Sequence, residues 1–189
     1  MARQPRTSRR TGSALVIIDM INPLDFPEGV QLLRHARPVA RKIAGLKQRL
    51  KAAGVAAIYV NDNFTHWLND FGELVAICSQ PDVLGAPLAL ALPPEEDDYT
   101  ILKPQHSAFY NTPLEVLLRQ LHVRRVILTG IAADHCILAS AIDAHMREFE
   151  VIVPRDCVAS NTPQRNRNAL ALMKNMDVSV MPAAGVLAR

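Results

Sequence analysis

The chain has 189 residues, of which 49% are hydrophobic and 21% charged, and its formal net charge is +3. This length and mixed composition predict a single globular domain and exclude collagen-like, coiled-coil and disordered classes. The apolar run near the start, 14–18, is far shorter than the roughly 20 residues of a membrane helix. We therefore expect neither a membrane span nor a signal-peptide core.

The positive charge is concentrated at the start of the chain. Arg3, Arg6, Arg9 and Arg10 lie in the first ten residues, and without them the formal charge is about −1. We expect residues 1–12 to form a flexible basic arm ahead of one domain over 13–189. The arm contains no aromatic residue that could stack on a base, so nucleic-acid binding is not expected.

Three cysteines, Cys78, Cys136 and Cys157, are scattered along the chain. An odd number without an export signal indicates free thiols in a reducing compartment rather than a disulfide framework. The predicted location is the cytoplasm.

The first elements form a strand–helix–strand unit. The run 14–20 is apolar and rich in β-branched residues, which predicts a strand that is buried on both faces. A loop with proline and glycine follows over 22–29, and apolar residues then recur at helical spacing over 39–50. A second buried strand is predicted over 55–60, which completes a βαβ unit.

The rest of the chain continues this alternation. We predict an irregular segment over 81–94, helices over 67–79, 112–122, 134–147 and 162–175, and strands over 99–102, 125–129, 150–153 and 178–181. Six strands without period-2 alternation and with intervening helices predict a three-layer α/β/α domain with a six-stranded parallel, Rossmann-like sheet. Right-handed crossovers place the carboxyl ends of all strands at one edge.

Three reactive side chains follow strand ends. Asp19 ends the first strand, Lys103 ends the third, and Cys136 lies in the first turn after the fourth. Ligands of such sheets bind at this edge. The helix start and Lys103 are expected to lower the pKa of Cys136 from about 8.5, and Asp19 can move the thiol proton.

Each of these residues has an ordinary structural interpretation when it is taken alone. A cysteine near a helix start is often a small buried apolar residue, so the catalytic interpretation depends on the coincidence with Asp19 and Lys103. The alternative is a non-catalytic, doubly wound ligand-binding or thiol redox-sensing module. Dinucleotide binding is disfavoured because no G-x-G-x-x-G follows the first strand.

Three blocks of the sequence resemble a known family. Leu15-Val-Ile-Ile-Asp-Met20, Leu102-Lys-Pro-Gln-His-Ser-Ala-Phe109 and Gly130-Ile-Ala-Ala-Asp-His-Cys136 are similar to the signature blocks of the isochorismatase-like cysteine hydrolase superfamily. Its members include nicotinamidases, N-carbamoylsarcosine amidohydrolase and ureidoacrylate amidohydrolases. The resemblance covers nearly the whole chain and is carried by blocks in the family's order.

The resemblance implies roles for particular residues. Asp19, Lys103 and Cys136 would form a catalytic triad. A cis peptide between Ile131 and Ala132 would orient the N–H groups of Ala132 and Cys136 as an oxyanion hole. It also implies a homodimer or homotetramer that acts on a small-molecule substrate.

The resemblance also narrows the reaction. In family members that hydrolyse the isochorismate vinyl ether, the nucleophile position is not a cysteine. Cys136 therefore favours hydrolysis of an amide, carbamoyl or ureido C–N bond through a thioester, without a cofactor. Ala133 departs from the family, which often has serine or threonine there to support the oxyanion loop.

The region after the second strand also departs from some relatives. Nicotinamidases carry an Asp-x-His metal motif there, whereas Asp62 and His66 stand four residues apart in a loop. This spacing is weak for metal binding, so no metal site is predicted, and nicotinamide becomes a less favoured substrate.

Side chains near the strand ends are candidates for substrate contact. Loop aromatics and polar side chains at this edge commonly surround a small ligand. On this basis the predicted substrate-binding residues are Phe26, Trp67, His106 and Phe109.

Overall fold

The computed structural model describes residues 11–64 and 70–188. These ranges contain, in chain order, β1 (Ser13–Ile18), α1 (Gly29–Ala52), β2 (Ala56–Asp62), α2 (Phe71–Cys78), α3 (Ala86–Ala91), β3 (Tyr99–Lys103), α4 (Leu114–Gln120), β4 (Arg125–Ile131), α5 (Leu138–Met146), β5 (Glu150–Pro154), β6 (Val158–Ala159), α6 (Pro163–Lys174) and β7 (Ser179–Met181). A π-helical turn, Ala133–Ile137, precedes α5, and a 3₁₀ helix, Ala183–Ala188, follows β7. Residues 1–10 of the predicted basic arm lie outside the described ranges.

The strands form one parallel sheet in the order β3-β2-β1-β4-β5-β7. The two-residue strand β6 pairs with the end of β4 and is an addition to the six predicted strands. Alternate residues of β1 enter two separate hydrophobic clusters, Leu15 and Ile17 on one face and Val16 and Ile18 on the other. The first cluster includes α1, α2 and α3, and the second includes α4, α5 and α6. The predicted three-layer α/β/α fold is confirmed.

Helices α1 and α3 show the largest differences from the sequence prediction. Helix α1 begins ten residues earlier than predicted and contains Pro38, because buried Leu32 and Ala36 extend its apolar stripe toward the core. Helix α3 lies in the segment predicted to be irregular. Pro87 lies in its first turn, where backbone N–H groups make no hydrogen bond within the helix, so the N–H that proline lacks is not needed. Leu88 is fully buried and anchors the helix to the core.

Helix α2 begins at Phe71 and ends at Cys78, and residues 67–69 of the predicted helix 67–79 lie outside the described ranges. Asp70 caps it by accepting a hydrogen bond from the backbone of Glu73, and the Glu73 side chain accepts one in return from the Asp70 backbone. This capping box satisfies two N–H groups at the helix start.

Gly130 brings β1 and β4 unusually close together. It is paired with Ile18 and has a φ of 120°. Residues other than glycine rarely adopt this backbone conformation. A Cβ atom at this position would lie 2.0 Å from the Ile18 carbonyl oxygen. The two strands therefore approach each other directly before Asp19 on one side and Ile131 on the other.

In the part of the chain that the structure describes, no helix is both long and apolar enough to cross a membrane.

Candidate active site

Lys103 lies at the centre of a cluster at the carboxyl edge of the sheet. Its side chain is completely buried, and its Nζ lies 3.0 Å from Asp19 Oδ2 and 3.5 Å from Cys136 Sγ. Nζ also donates to the Gln105 carbonyl at 3.0 Å and lies 3.6 Å from Asp62 Oδ2. A buried ammonium is tolerated only when it is paired and hydrogen-bonded. The structure thus brings together the three side chains that the sequence singled out.

Asp19 is fixed between β1 and β2. Its backbone is left-handed, with a φ of 54°, and its N–H donates to the Val60 carbonyl at 3.1 Å. Its Oδ1 accepts a hydrogen bond of 2.7 Å from the backbone N–H of Asp62. One carboxylate oxygen is therefore held by the backbone while the other faces Lys103.

Cys136 lies in the π-helical turn after β4. Ser140, one turn further on, donates to the Cys136 carbonyl at 2.6 Å and accepts from the backbone N–H of Ala108 at 2.9 Å. This buried hydroxyl ties the cysteine turn to the loop that follows Lys103. The peptide bond between Ile131 and Ala132, directly before the turn, is cis.

The protonation of the cluster differs from the sequence prediction. Burial raises the pKa of the Cys136 thiol, the Asp19 carboxylate raises it further, and Lys103 only partly opposes them. The predicted lowering of this pKa is therefore wrong, because desolvation and a neighbouring negative charge outweigh the helix start and the ammonium.

The pKa values of Asp19 and Lys103 are both raised. Burial raises the pKa of the Asp19 carboxyl, although Lys103 counteracts it. Burial acts to lower the pKa of Lys103, but Asp19 and Cys136 outweigh it, so that the pKa of Lys103 is raised. The cluster combines a stable ammonium with two acids that both hold their protons more tightly than usual.

The cluster opens into a cavity of about 420 Å³. Asp19 and Cys136 line it, as do Ala132 and two of the predicted substrate-binding residues, Phe26 and His106. A cavity of this size suits a small molecule. Its wall combines an aromatic ring with polar groups beside the sulfur.

The other two predicted substrate-binding residues have different outcomes. Phe109 is buried in the core, where its ring lies 6.0 Å from that of Phe149 and 5.2 Å from the Arg147 guanidinium. The prediction that Phe109 lines the pocket is wrong, because the loop after β3 turns inward at Ser107, whose hydroxyl accepts from the Phe109 N–H. Trp67 lies outside the described residues.

Several lining residues were not predicted. Besides Asp62, which the sequence suggested only as a weak metal ligand, the cavity is lined by Asn22, Glu28, His135, Asn161 and Arg165. The sequence did carry a signal for Asp62, because this residue stands at the carboxyl end of β2, the strand next to β1, and ligands bind at that edge of the sheet. Arg165 comes from α6 and pairs with Asp134 at 2.5 Å, a contact that only tertiary structure creates.

Among residues 11–64 and 70–188, no group of three or more histidine, cysteine, aspartate or glutamate side chains could hold a metal ion. His66, the weak metal candidate of the sequence, lies outside these ranges. The three cysteines are free thiols, as predicted.

The fold and the site together define a three-layer α/β protein with a buried thiol, carboxylate and ammonium at the ligand-binding edge of its sheet. The Isochorismatase domain model matches residues 13–185, so the chain belongs to the isochorismatase family of hydrolases. It is 36% identical over 167 residues to the uncharacterized isochorismatase family protein YaaI of Bacillus subtilis (strain 168), and the match covers 88% of this chain and 91% of that protein. The resemblance stated from the sequence is confirmed.

Solved structures agree with this assignment. An isochorismatase family protein from Desulfovibrio vulgaris superimposes with a TM-score of 0.77 at 26% identity, covering 94% of this chain and 99% of that one. The nicotinamidase PncA from Bacillus subtilis superimposes with a TM-score of 0.69 at 25% identity, covering 90% of this chain and 99% of its own.

Proposed function

We propose that the protein is a cysteine-dependent hydrolase that cleaves the C–N bond of a small amide, carbamoyl or ureido compound through a thioester on Cys136. The observation that carries the proposal is the position of Lys103 Nζ, 3.0 Å from Asp19 and 3.5 Å from the Cys136 sulfur, directly behind a cavity that Asp19 and Cys136 line. Membership of a hydrolase family supports it. So does the similarity to a nicotinamidase, an enzyme named for an amide substrate.

In the first half of the reaction, Cys136 Sγ attacks the substrate carbonyl carbon as its proton passes to the Asp19 carboxylate. The raised pKa of Asp19 suits this step, because the carboxyl group can then hold the proton. Asp19 delivers the proton to the leaving nitrogen, the C–N bond breaks, and ammonia or an amine departs. The acyl group stays on sulfur as a thioester.

In the second half, a water molecule attacks the thioester carbon and gives one proton to Asp19. The C–S bond breaks, the acid product leaves, and the proton returns to the Cys136 sulfur. Lys103 remains an ammonium throughout, since its raised pKa keeps it charged. Its role is to balance the negative charge that alternates between Asp19 and the sulfur.

The negative charge on the substrate oxygen in each half requires donors of its own. Ala132 and Cys136, which line the cavity, are the proposed oxyanion hole, through their backbone N–H groups. Such preorganised donors commonly supply a large share of the rate enhancement. The proposed reaction needs no metal or other cofactor. The proposal places the protein in the cytoplasm, as a homodimer or homotetramer.

The test is a panel of primary amides, N-carbamoyl amino acids and ureides, with release of ammonia or amine as the readout. We expect the wild-type protein to hydrolyse at least one of these classes. The Cys136→Ala variant should hydrolyse none of them. Intact-mass measurement on the wild type should detect an acyl adduct on Cys136. If no class is hydrolysed and Cys136 is modified only after peroxide, the redox-sensing alternative is favoured instead.

A further inference from the structure

His106 is a second polar group beside the candidate nucleophile. Its Nδ1 lies 3.7 Å from Cys136 Sγ, and its side chain is exposed in the cavity. Lys103 and Asp19, by contrast, are buried. His106 is thus the neighbour of the sulfur that solvent reaches most easily.

The backbone on both sides of His106 is anchored. The preceding carbonyl, that of Gln105, accepts from Lys103 Nζ at 3.0 Å. The hydroxyl of the following residue, Ser107, hydrogen-bonds to Asp143, and the Ala108 N–H donates to buried Ser140. These contacts hold the loop against α5, directly after the turn that contains Cys136, so the approach of the imidazole to the sulfur is built into the fold.

The sulfur's existing contacts indicate what His106 does there. The Asp19 carboxylate opposes ionisation of the sulfur. The lone pairs of sulfur remain available to N–H donors, and Lys103 supplies one of these. A donor to a forming thiolate is a charge-assisted hydrogen bond, which is stronger than a neutral one.

We propose that His106 donates a hydrogen bond from Nδ1 to the Cys136 sulfur and thereby stabilises the thiolate that attacks the substrate. This inference rests on the proposed function, in which Cys136 is the nucleophile. Lys103 and His106 then act as two donors that counter the effect of Asp19. His106 is a catalytic residue in this scheme, because it contacts the reacting atom.

Other charged and titratable groups surround this contact. The His135 ring lies edge-on to that of His106, with centroids 5.7 Å apart, and Arg165 approaches His135 Nδ1 at 3.5 Å. Asp62 Oδ2 lies 3.6 Å from Lys103 Nζ, and Asp134 pairs with Arg165. Replacement of His106 alone changes none of these residues.

The experiment measures alkylation of Cys136 by iodoacetamide between pH 6 and 10 in the full chain, with peptide mass spectrometry as the readout. Cys78 and Cys157 are fully buried, and the peptide readout separates them from Cys136. In His106→Phe, which lacks the donor, we expect alkylation at pH 7 to slow by about tenfold or more. The profile should also shift to higher pH.

The conservative variant and the control give the result its meaning. In His106→Asn the side-chain amide can place an N–H near the former Nδ1, so its profile should lie close to that of the wild type. His145→Gln, an exposed position on α5, should leave the profile unchanged. Thermal melting of each variant checks that it is folded.

Two results would overturn the inference. One is a wild-type alkylation profile in His106→Phe. The other is a His106→Asn profile as slow as that of His106→Phe, because an N–H donor at this position would then not restore the reactivity of the sulfur. Alkylation needs no substrate, so a protein that hydrolyses no amide but shows the expected shift would contradict the proposed function and leave the His106 contact standing.

Discussion

Two buried lysine–aspartate pairs lie at opposite ends of the sheet. The pocket pair, Lys103 and Asp19, stands at the carboxyl ends of the strands with Nζ 3.0 Å from Oδ2. The structural pair, Lys47 and Asp98, stands at the amino end of β3, and both of its side chains are almost fully buried. Lys47 has further oxygen partners in Glu95, Tyr59 and Pro93.

The difference between the pairs lies in their surroundings. The structural pair contacts oxygen atoms and a second lysine, Lys51, that shares its carboxylates. The pocket pair contacts a thiol and borders a cavity. The same kind of ion pair therefore cross-links α1 to the segment before β3 at one end and, at the other, borders a cavity beside the Cys136 thiol.

The sharpest test of this contrast is a pair of matched variants, Asp19→Asn and Asp98→Asn. An amide at position 19 keeps the side-chain shape but cannot take the thiol proton, so we expect hydrolysis to fall by about 10²–10⁴-fold. Steady-state kinetics on the most active substrate class measures this. Hydrolysis by Asp19→Asn at the wild-type rate would remove Asp19 from the mechanism.

Asp98→Asn should have the opposite phenotype. It leaves the buried ammonium of Lys47 with less negative charge, and breaking a buried pair costs about 3–5 kcal/mol of unfolding free energy. Urea denaturation measures this loss, and kcat of the folded fraction should not change. A large fall in kcat without a loss of stability would show that the two ends of the sheet are coupled.

Ser140→Ala tests how firmly the pocket end is held. The substitution leaves the Ala108 N–H and the Cys136 carbonyl without their buried partner. We expect a loss of about 1–3 kcal/mol in denaturation experiments, together with a moderate fall in kcat. Ser140→Cys, which keeps a weak donor and acceptor, serves as the comparison. Unchanged stability in Ser140→Ala would mean that water replaces the hydroxyl.

The smallest expected effect concerns acid pH at the structural end. Hydrogen bonds from Lys51 hold the pKa values of Glu95 and Asp97 below their usual 4.5 and 3.8. Carboxylates with lowered pKa values stabilise the fold above those usual values, and this contribution is lost as the pH falls through the lower, folded-state values. Both are exposed, so their share is at most about 1 kcal/mol.

The measurement is the difference in unfolding free energy between the wild type and Lys51→Met as a function of pH. This difference should be constant between pH 5 and 8 and shrink below about pH 4. High salt should reduce it as well, because exposed charges are screened. A difference that grows as the pH falls would reverse the sign of the interaction.

The sequence predicts the parts of this molecule that depend on pattern. Buried strands and helical spacing are local signals, and the rule for parallel sheets then places Asp19, Lys103 and Cys136 at one edge without any knowledge of strand order. The short strand β6 escapes such reasoning, because two residues carry no periodicity. Helix α3 escapes it because Pro87 resembles a loop marker.

What the sequence does not predict depends on depth and distance. The pKa of Cys136 is governed by desolvation and by Asp19, and neither can be judged before the burial of the sulfur is known. Phe109 is an aromatic residue shortly after a strand end, which is typical of a pocket wall, yet its ring lies in the core. Arg165 reaches the cavity through the packing of α6 against the cysteine turn, a long-range contact without a local sequence signal.

The close approach of the two central strands at Gly130 limits how the cavity can be redesigned. Any larger residue there would collide with the Ile18 carbonyl and separate the strand before Asp19 from the strand before Cys136. Libraries that aim at a new substrate range should therefore vary Phe26 or Asn161, which line the cavity, and leave position 130 as glycine. New substrate ranges are therefore best sought by changing the loops around the cavity. The spacing between Asp19 and Cys136 depends on position 130 having no Cβ atom.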